Sequence, residues 1–247
     1  MDHTSYIRDW SPVPTSRYQQ AQQTEHRYWS LQDRRLLNLE AKYYFYAGHY
    51  EWTRHRVLLN PFCVRDSSPG NFQIPADEME GCLVLDVGCG PASDTLSLVH
   101  CASVCAVDPL LDVYREMQPF GWEFFKTLAS VGAEELPFDD GEFHFAYCRN
   151  VLDHTQNADE VLREIARVLH PRGQLLLACD ARHGRGGGPP HPYAWSIETL
   201  ETRVFGQFEP VTPITLLDDT KTPVGREQSR GQRVRWVCRV RRKTTPL

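Results

Sequence analysis

Short apolar runs alternate with amphipathic stretches through the middle of the chain. Cys82 to Val87, Ser103 to Val107, Phe143 to Cys148 and Gln174 to Cys179 each read as a buried strand. Between them, Ser93 to His100, Leu110 to Gln118 and Asn157 to Leu169 read as helices. The last carries Val161, Leu162, Ile165, Ala166, Val168 and Leu169 as one apolar stripe, and Pro171-Arg172-Gly173 stops it. Strands that are apolar on both faces, taken in turn with helices, predict an α/β fold with a parallel sheet covered on both sides.

The flanks follow other patterns. Residues 1–75 are rich in aromatics, Gln, Arg and His. Gly48 is the only Gly or Pro between Pro14 and Pro61, so helical stretches are expected over Ala21 to Leu59. The division expected is a helical cap over 1–75 and a larger domain over 76–247. Beyond the fourth strand lies a Gly/Pro-rich loop from Gly184 to Pro192. A helix follows from Ser196 to Phe205 with Ser196 as its N-cap, and then two strands. In the last strand, Arg233 to Arg241, the residues Val234, Trp236, Cys238 and Val240 share one face. Arg233, Arg235, Arg239 and Arg241 share the other. Its bland reading is a half-buried strand with a solvated face.

Composition narrows the class. A hydrophobic fraction of 41% with 24% charged residues is ordinary globular usage, which excludes a disordered or collagen-like chain. No apolar run approaches the ~20 residues of a membrane-spanning helix, and no basic-then-apolar leader is seen. A net charge of −5 carries no footprint of a nucleic-acid binder. None of the 8 cysteines forms a C-x-x-C pair and several fall in apolar runs. Reduced thiols, a cytoplasmic location and no bound metal are therefore expected.

Leu83-Val84-Leu85-Asp86-Val87-Gly88-Cys89-Gly90-Pro91 carries the chemistry. A buried strand runs into a glycine turn, where Gly88 and Gly90 let a ligand approach the backbone. A dinucleotide fingerprint would need glycine where Ser93 stands, and no Gly-Lys-Ser/Thr follows to make a phosphate loop. Asp86, just before the glycines, suits a sulfonium or ammonium ligand better than a pyrophosphate.

This segment resembles the first motif of the class I S-adenosylmethionine (SAM)-dependent methyltransferases, and the later segments follow in that family's order. The resemblance covers roughly residues 80–180 and is nearest to the small-molecule type 11 group. It implies a Rossmann-like, seven-stranded mixed sheet with an antiparallel last strand, helices on both faces and an N-terminal helical cap. It also implies that SAM is the cofactor, bound by Asp86, Gly88, Cys89 and Gly90. Asp108 beside Pro109 would accept both ribose hydroxyls. Gly132 to Phe138 resembles the loop that lines adenine. Many relatives carry Asp where Gly132 stands, so here the Ala133 backbone or Glu134 would serve. Asn150 would hold the methionine end through its carbonyl.

The implied reaction is methyl transfer to a small metabolite, with a hydroxyl of a natural-product intermediate or a sugar as the first choice. Its product is S-adenosylhomocysteine. A base for that hydroxyl would be His191 first and His154 second, with Asp153 placed to orient either. Tyr46, His49 and Tyr50, from an aromatic cluster before the core, and Tyr193 and Trp195, after the Gly/Pro loop, would wall the acceptor. Two other readings stand beside this one. The first is an RNA or protein methyltransferase, supported only by the arginine-rich last strand. The second is a SAM-binding protein without methyl transfer.

Overall fold

The computed structural model describes residues 14–31, 56–59, 72–117, 121–182, 191–193, 195–218, 223–229 and 233–243. Helix α1 spans Thr15–Ser30, and strands β1 (Arg56–Leu59) and β2 (Phe72–Pro75) pair antiparallel as a separate two-stranded sheet. Within residues 1–75, then, a helix is joined by a strand pair.

The main sheet holds β3 (Leu83–Val87), β4 (Ser103–Val107), β5 (Thr127–Ala129), β6 (Phe143–Arg149) and β7 (Leu169–Arg182). Short β8 (Phe208–Pro210) and β9 (Thr215–Leu217) precede the long β10 (Arg233–Arg242). The order is β5-β4-β3-β6-β7-β10-β8, with β9 also paired to β10. The first five strands are mutually parallel, and β10 runs antiparallel to β7. This is the expected mixed α/β sheet, with seven strands along the main path and β9 as an addition beside β10. Where two closing strands are expected, three form.

Alternation along β3 divides the core. Leu85 and Val87 pack on one face with Val161, Ile165 and Val168 of α3 (Ala158–Val168) and Leu200 of α4 (Ile197–Gln207). Val84 packs on the other face with Leu96, Leu98 and the residues Leu111 and Tyr114 of α2 (Leu111–Met117). Both helices of the first layer begin on side-chain caps. Asn157 Oδ1 accepts from Glu160 N at 3.3 Å, and Ser196 Oγ accepts from Thr199 N at 3.2 Å.

Local propensity misjudges two segments. Ser93 to His100 holds a 3₁₀ turn, Asp94–Leu98, with another just before it at Gly90–Ala92, instead of an α-helix. Ser93, Thr95 and Ser97 are all buried there, and their hydroxyls bond Asp86 and the Asp94 carbonyl instead of facing water. Such side chains compete with helical hydrogen bonding. Pro171-Arg172-Gly173 does not end before the strand but lies within β7. The ladder pairs Phe143 with Leu169 and then Phe145 with Gln174, so these residues bulge out between two paired positions.

Candidate active site

The parallel strands end along one edge, and the chain turns back over the sheet there. β4 and β5 lie to one side of β3, β6 and β7 to the other, which opens a crevice at the reversal of strand order. The crevice encloses about 950 Å³, its open side included.

At its centre β3 gives way to the glycine turn. Gly88 and Cys89 donate their N–H groups to Val107 O at 2.8 and 3.1 Å, which carries the turn across the end of β4. Gly88 has φ of +67°, and a Cβ there would stand 2.4 Å from Val151 Cγ2. Gly90 has φ of +60°, and a Cβ there would meet nothing within 4 Å. One glycine lets the two strand ends close on each other, while the other leaves room on the crevice wall.

Asp108 follows β4 and is 8% exposed. Its Oδ2 accepts from Gly90 N at 3.0 Å and its Oδ1 from Leu110 N at 2.9 Å. Burial pushes this carboxyl up to about 6, and the two backbone donors hold it back from rising further. Cys89, Pro109, Ala133 and Glu134 also line the crevice. Burial keeps the Cys89 thiol protonated well beyond its usual range. Glu134 is committed to a structural task as well, because its Oε1 accepts from Gln156 N (2.7 Å) and Asn157 N (3.2 Å) at the start of α3.

Asp86 corrects an expectation. Pointing to the opposite face from Leu85 and Val87, it is buried beneath the crevice, and its Oδ2 accepts from the hydroxyls of Ser93 and Thr95. It ties down the glycine turn without lining the ligand space. Burial raises its carboxyl to about 7, against the pull of those two hydroxyls.

Helix α1 forms the opposite wall with Tyr18, Gln22, Glu25 and Trp29. The spacing of four, three and four residues puts them on one helix face. Glu25 Oε1 accepts from Trp29 Nε1 at 2.6 Å. Gln156 Nε2 donates to Thr15 Oγ1 at 3.1 Å, and Arg17 donates to Pro192 O at 3.4 Å, so α1 is fastened to loops beyond β6 and β7. None of these wall residues stands out in the sequence. Their stripe mixes aromatic and polar side chains, which a search for an apolar face passes over. Arg149, also on the wall, reaches Asp94 Oδ2 at 3.1 Å.

The third group gathers past β6. Asn150 ends that strand with φ of +55°, a conformation Asn adopts more readily than most residues. Its Nδ2 lies 3.2 Å from His154 Nε2. His191 Nδ1 lies 2.7 Å from Asp153 Oδ2, and the His154 and His191 rings sit 4.2 Å apart. Glu25 Oε2 approaches His154 Nδ1 at 3.7 Å from the α1 side. Burial lowers the His154 pKa, and His191 lowers it further, while Asp153, Glu25 and Asp180 oppose the shift. Both expected histidines thus share one cluster, but only His154 is on the crevice wall.

The expected acceptor wall is placed differently. Tyr193 and Trp195 are 1% and 0% exposed and belong to the core. Tyr193 OH donates to Gln156 O at 2.9 Å, so it braces the loop behind the site. Tyr46, His49 and Tyr50 lie outside the described residues.

Residues 85–177 match the type 11 family described as "Methyltransferase domain". Over that stretch the chain is similar to the class I methyltransferases of that group. Over 150 residues it is 37% identical to the uncharacterised methyltransferase Rv3342 of Mycobacterium tuberculosis, covering 59% of this chain and 56% of that protein. The chain thus spans little more than half the length of that relative. It is 32% identical over 99 residues to the uncharacterised methyltransferase YcgJ of Bacillus subtilis, covering 38% of this chain and 39% of that one. The crystal structure of YcgJ superposes with a TM-score of 0.50 at 17% identity, over 68% of this chain and 94% of that one, a likeness of fold. An O-methyltransferase, cnsE of Penicillium expansum, is 32% identical over 104 residues, covering 38% and 37% of the two chains.

The cofactor of this domain is SAM, and the crevice suits it. Glu25, Asp108 and Glu134 face one guanidinium, that of Arg149, around the crevice, a balance that favours a cationic sulfonium ligand. Gly90 leaves open the space that a side chain would fill.

Proposed function

We propose that the chain transfers a methyl group from SAM to a hydroxyl of a small metabolite. The observation that carries this reading is the His154–Asp153–His191 cluster at the β6 and β7 end of the crevice. Bound SAM supplies an electron-poor methyl group on sulfur. Asp108 receives the ribose diol on the oxygen lone pairs not engaged by Gly90 and Leu110. The Ala133 backbone borders the adenine, and the Asn150 carbonyl the methionine end. Arg149, held by Asp94, offers a cation for the methionyl carboxylate.

At the other end, α1 excludes water and seats the acceptor between Trp29 and His154. His154, on the wall and kept neutral by burial, takes the hydroxyl proton at an imidazole nitrogen. Asp153 holds His191 against that ring. The name of the O-methyltransferase relative supports oxygen as the methylated atom.

A macromolecular acceptor finds little support. Arg235 pairs with Asp180, Arg239 with Glu78 and Arg241 with Glu209, so the arginine face of β10 is largely neutralised. The test is incubation with SAM and a pool of hydroxylated metabolites, followed by mass spectrometry. S-adenosylhomocysteine together with a methylated hydroxyl compound is expected. Tight SAM binding without turnover of any pool would leave only a binding protein.

A further inference from the structure

The cluster beside the crevice has a chemistry that a histidine base alone does not need. Asp153, His154 and His191 each present one ligand atom, and the three atoms lie within 4.8 Å of one another. Donors bound to one ion at about 2.1 Å stand roughly 3–4 Å apart, so small side-chain rotations would bring all three onto a common centre. Two imidazoles with one carboxylate form the donor set of transition-metal sites that keep open positions for a substrate.

We propose that Asp153, His154 and His191 bind a divalent transition-metal ion, whose open position takes the acceptor hydroxyl. Sequence spacing hides this set, because His191 joins it from across β7 and the Gly/Pro loop. Nitrogen-rich ligation selects zinc, cobalt, nickel or iron over magnesium and calcium.

A second feature supports the assignment independently. Glu25 of α1 stands behind His154, its Oε2 3.7 Å from Nδ1, while Nε2 faces Asp153 Oδ1 at 4.0 Å. A carboxylate behind a ligating histidine fixes the tautomer and strengthens the metal bond. Asn150, 3.2 Å from the same Nε2, has only to turn its amide away. Asp153 is 1% exposed, while the two histidines are partly open, so an ion has a buried anchor and an entry path.

The inference rests on the methyl-transfer reading and deepens it. An acceptor hydroxyl whose oxygen joins the ion releases its proton to solvent near neutral pH. The oxygen lone pair then forms the bond to the methyl carbon. The carbon–sulfur bond breaks with its electrons remaining on sulfur, leaving a neutral thioether and a methyl ether. The histidines act as ligands in that case, not as bases.

The test uses the full chain stripped with a chelator and titrated with Co²⁺ by calorimetry and visible absorption. One equivalent should bind and develop a d–d spectrum unlike that of aqueous Co²⁺. His191→Ala should weaken binding by ~100-fold or more, and Glu25→Gln by about 10-fold. His26→Ala, on the exposed side of α1, should bind as the parent does. SAM affinity, measured in parallel, reports folding and should hold in His191→Ala and His26→Ala, whose side chains do not line the crevice. Asp153→Asn is informative only if it passes that control, so His191→Ala carries the decision. Weak binding that is the same in His191→Ala and His26→Ala would overturn the site. Methyl transfer at full rate in chelator, with an acid limb set by His154, would overturn the metal while leaving the function intact. Stoichiometric Co²⁺ binding lost in His191→Ala, with no hydroxyl acceptor ever methylated, would uphold the site and overturn the function.

Discussion

The proposed cofactor end of the crevice is made by two adjacent strand ends and the turns after them, whereas the proposed acceptor end draws on three segments far apart in the chain. Gly88, Gly90 and Asp108 are joined mainly by backbone hydrogen bonds: Gly88 N to Val107 O, Gly90 N to Asp108 Oδ2 and Leu110 N to Asp108 Oδ1. His154, His191 and Glu25 meet through side chains, from the turn after β6, the loop after β7 and helix α1. A backbone-built half tolerates little change, while a side-chain-built half can vary its chemistry on the same scaffold. On the proposed assignment, the difference teaches that the cofactor would be specified by the fold and the acceptor by what is hung on it.

Substitutions at the two ends should therefore separate binding from turnover. The largest effect is expected at the acceptor end. His154→Ala should lower turnover by ~100- to 10,000-fold with SAM affinity nearly unchanged, as calorimetry beside steady-state rates would register. Equal losses in both quantities would break the division between the two ends.

Next in size is Gly88→Ala. The new methyl would collide with Val151 in a left-handed backbone, so a loss of about 2–4 kcal/mol in stability is expected from denaturant unfolding. Gly90→Ala shares the backbone penalty but meets no neighbour. It should cost only about 1–2 kcal/mol in stability while obstructing SAM more than Gly88→Ala does in whatever fraction folds.

Asp108→Asn should weaken SAM binding by about 1.5–3 kcal/mol, the scale of hydrogen bonds to a charged group. The same variant has a pH signature. The Asp108 pKa is raised in the folded state, to about 6, so the folded protein holds the proton more tightly than the unfolded chain. Its contribution to stability is fully present below the ordinary carboxylate pKa and is lost as pH rises through about 6. Asp86, raised to about 7, adds a slope of the same sign. Asp108→Asn should flatten the first part of that fall and leave the second, which thermal unfolding of the cofactor-free protein across pH would resolve.

The smallest effect is expected where α1 touches the cofactor end. Burial, then Glu134 and Asp108, keep the Tyr18 hydroxyl protonated beyond its usual range, so it remains a donor there. Tyr18→Phe should cost about 0.5–1.5 kcal/mol in SAM affinity and leave the acceptor KM unchanged. A larger change in acceptor KM than in SAM affinity would place Tyr18 at the other end.

The apolar runs of β3, β4 and β6, the stripe of α3 and the glycine turn are local patterns, and the sequence alone determined those strands, that helix and the resemblance to a methyltransferase domain. Burial of a continuous apolar strand or an amphipathic helix depends on neighbours a few residues away, which is why those readings survive folding. Asp86 could not be placed that way. Its adjacency to Gly88 suggests the ligand, but the strand's alternation points it into the opposite core, toward Ser93 and Thr95. Tyr193 and Trp195 are similar, since an aromatic in a loop reads equally well as a pocket wall or as core until the packing of α4 against β7 is known. Only the tertiary structure decided the partners of His154. Glu25 and His191 lie on either side of it, 129 and 37 residues away by their numbers: the parallel pairing of β6 and β7 brings His191 to that edge of the sheet, and the packing of α1 across the crevice brings Glu25. Interactions between side chains fall off over a few ångströms, so such a cluster exists only where the chain has already folded back on itself.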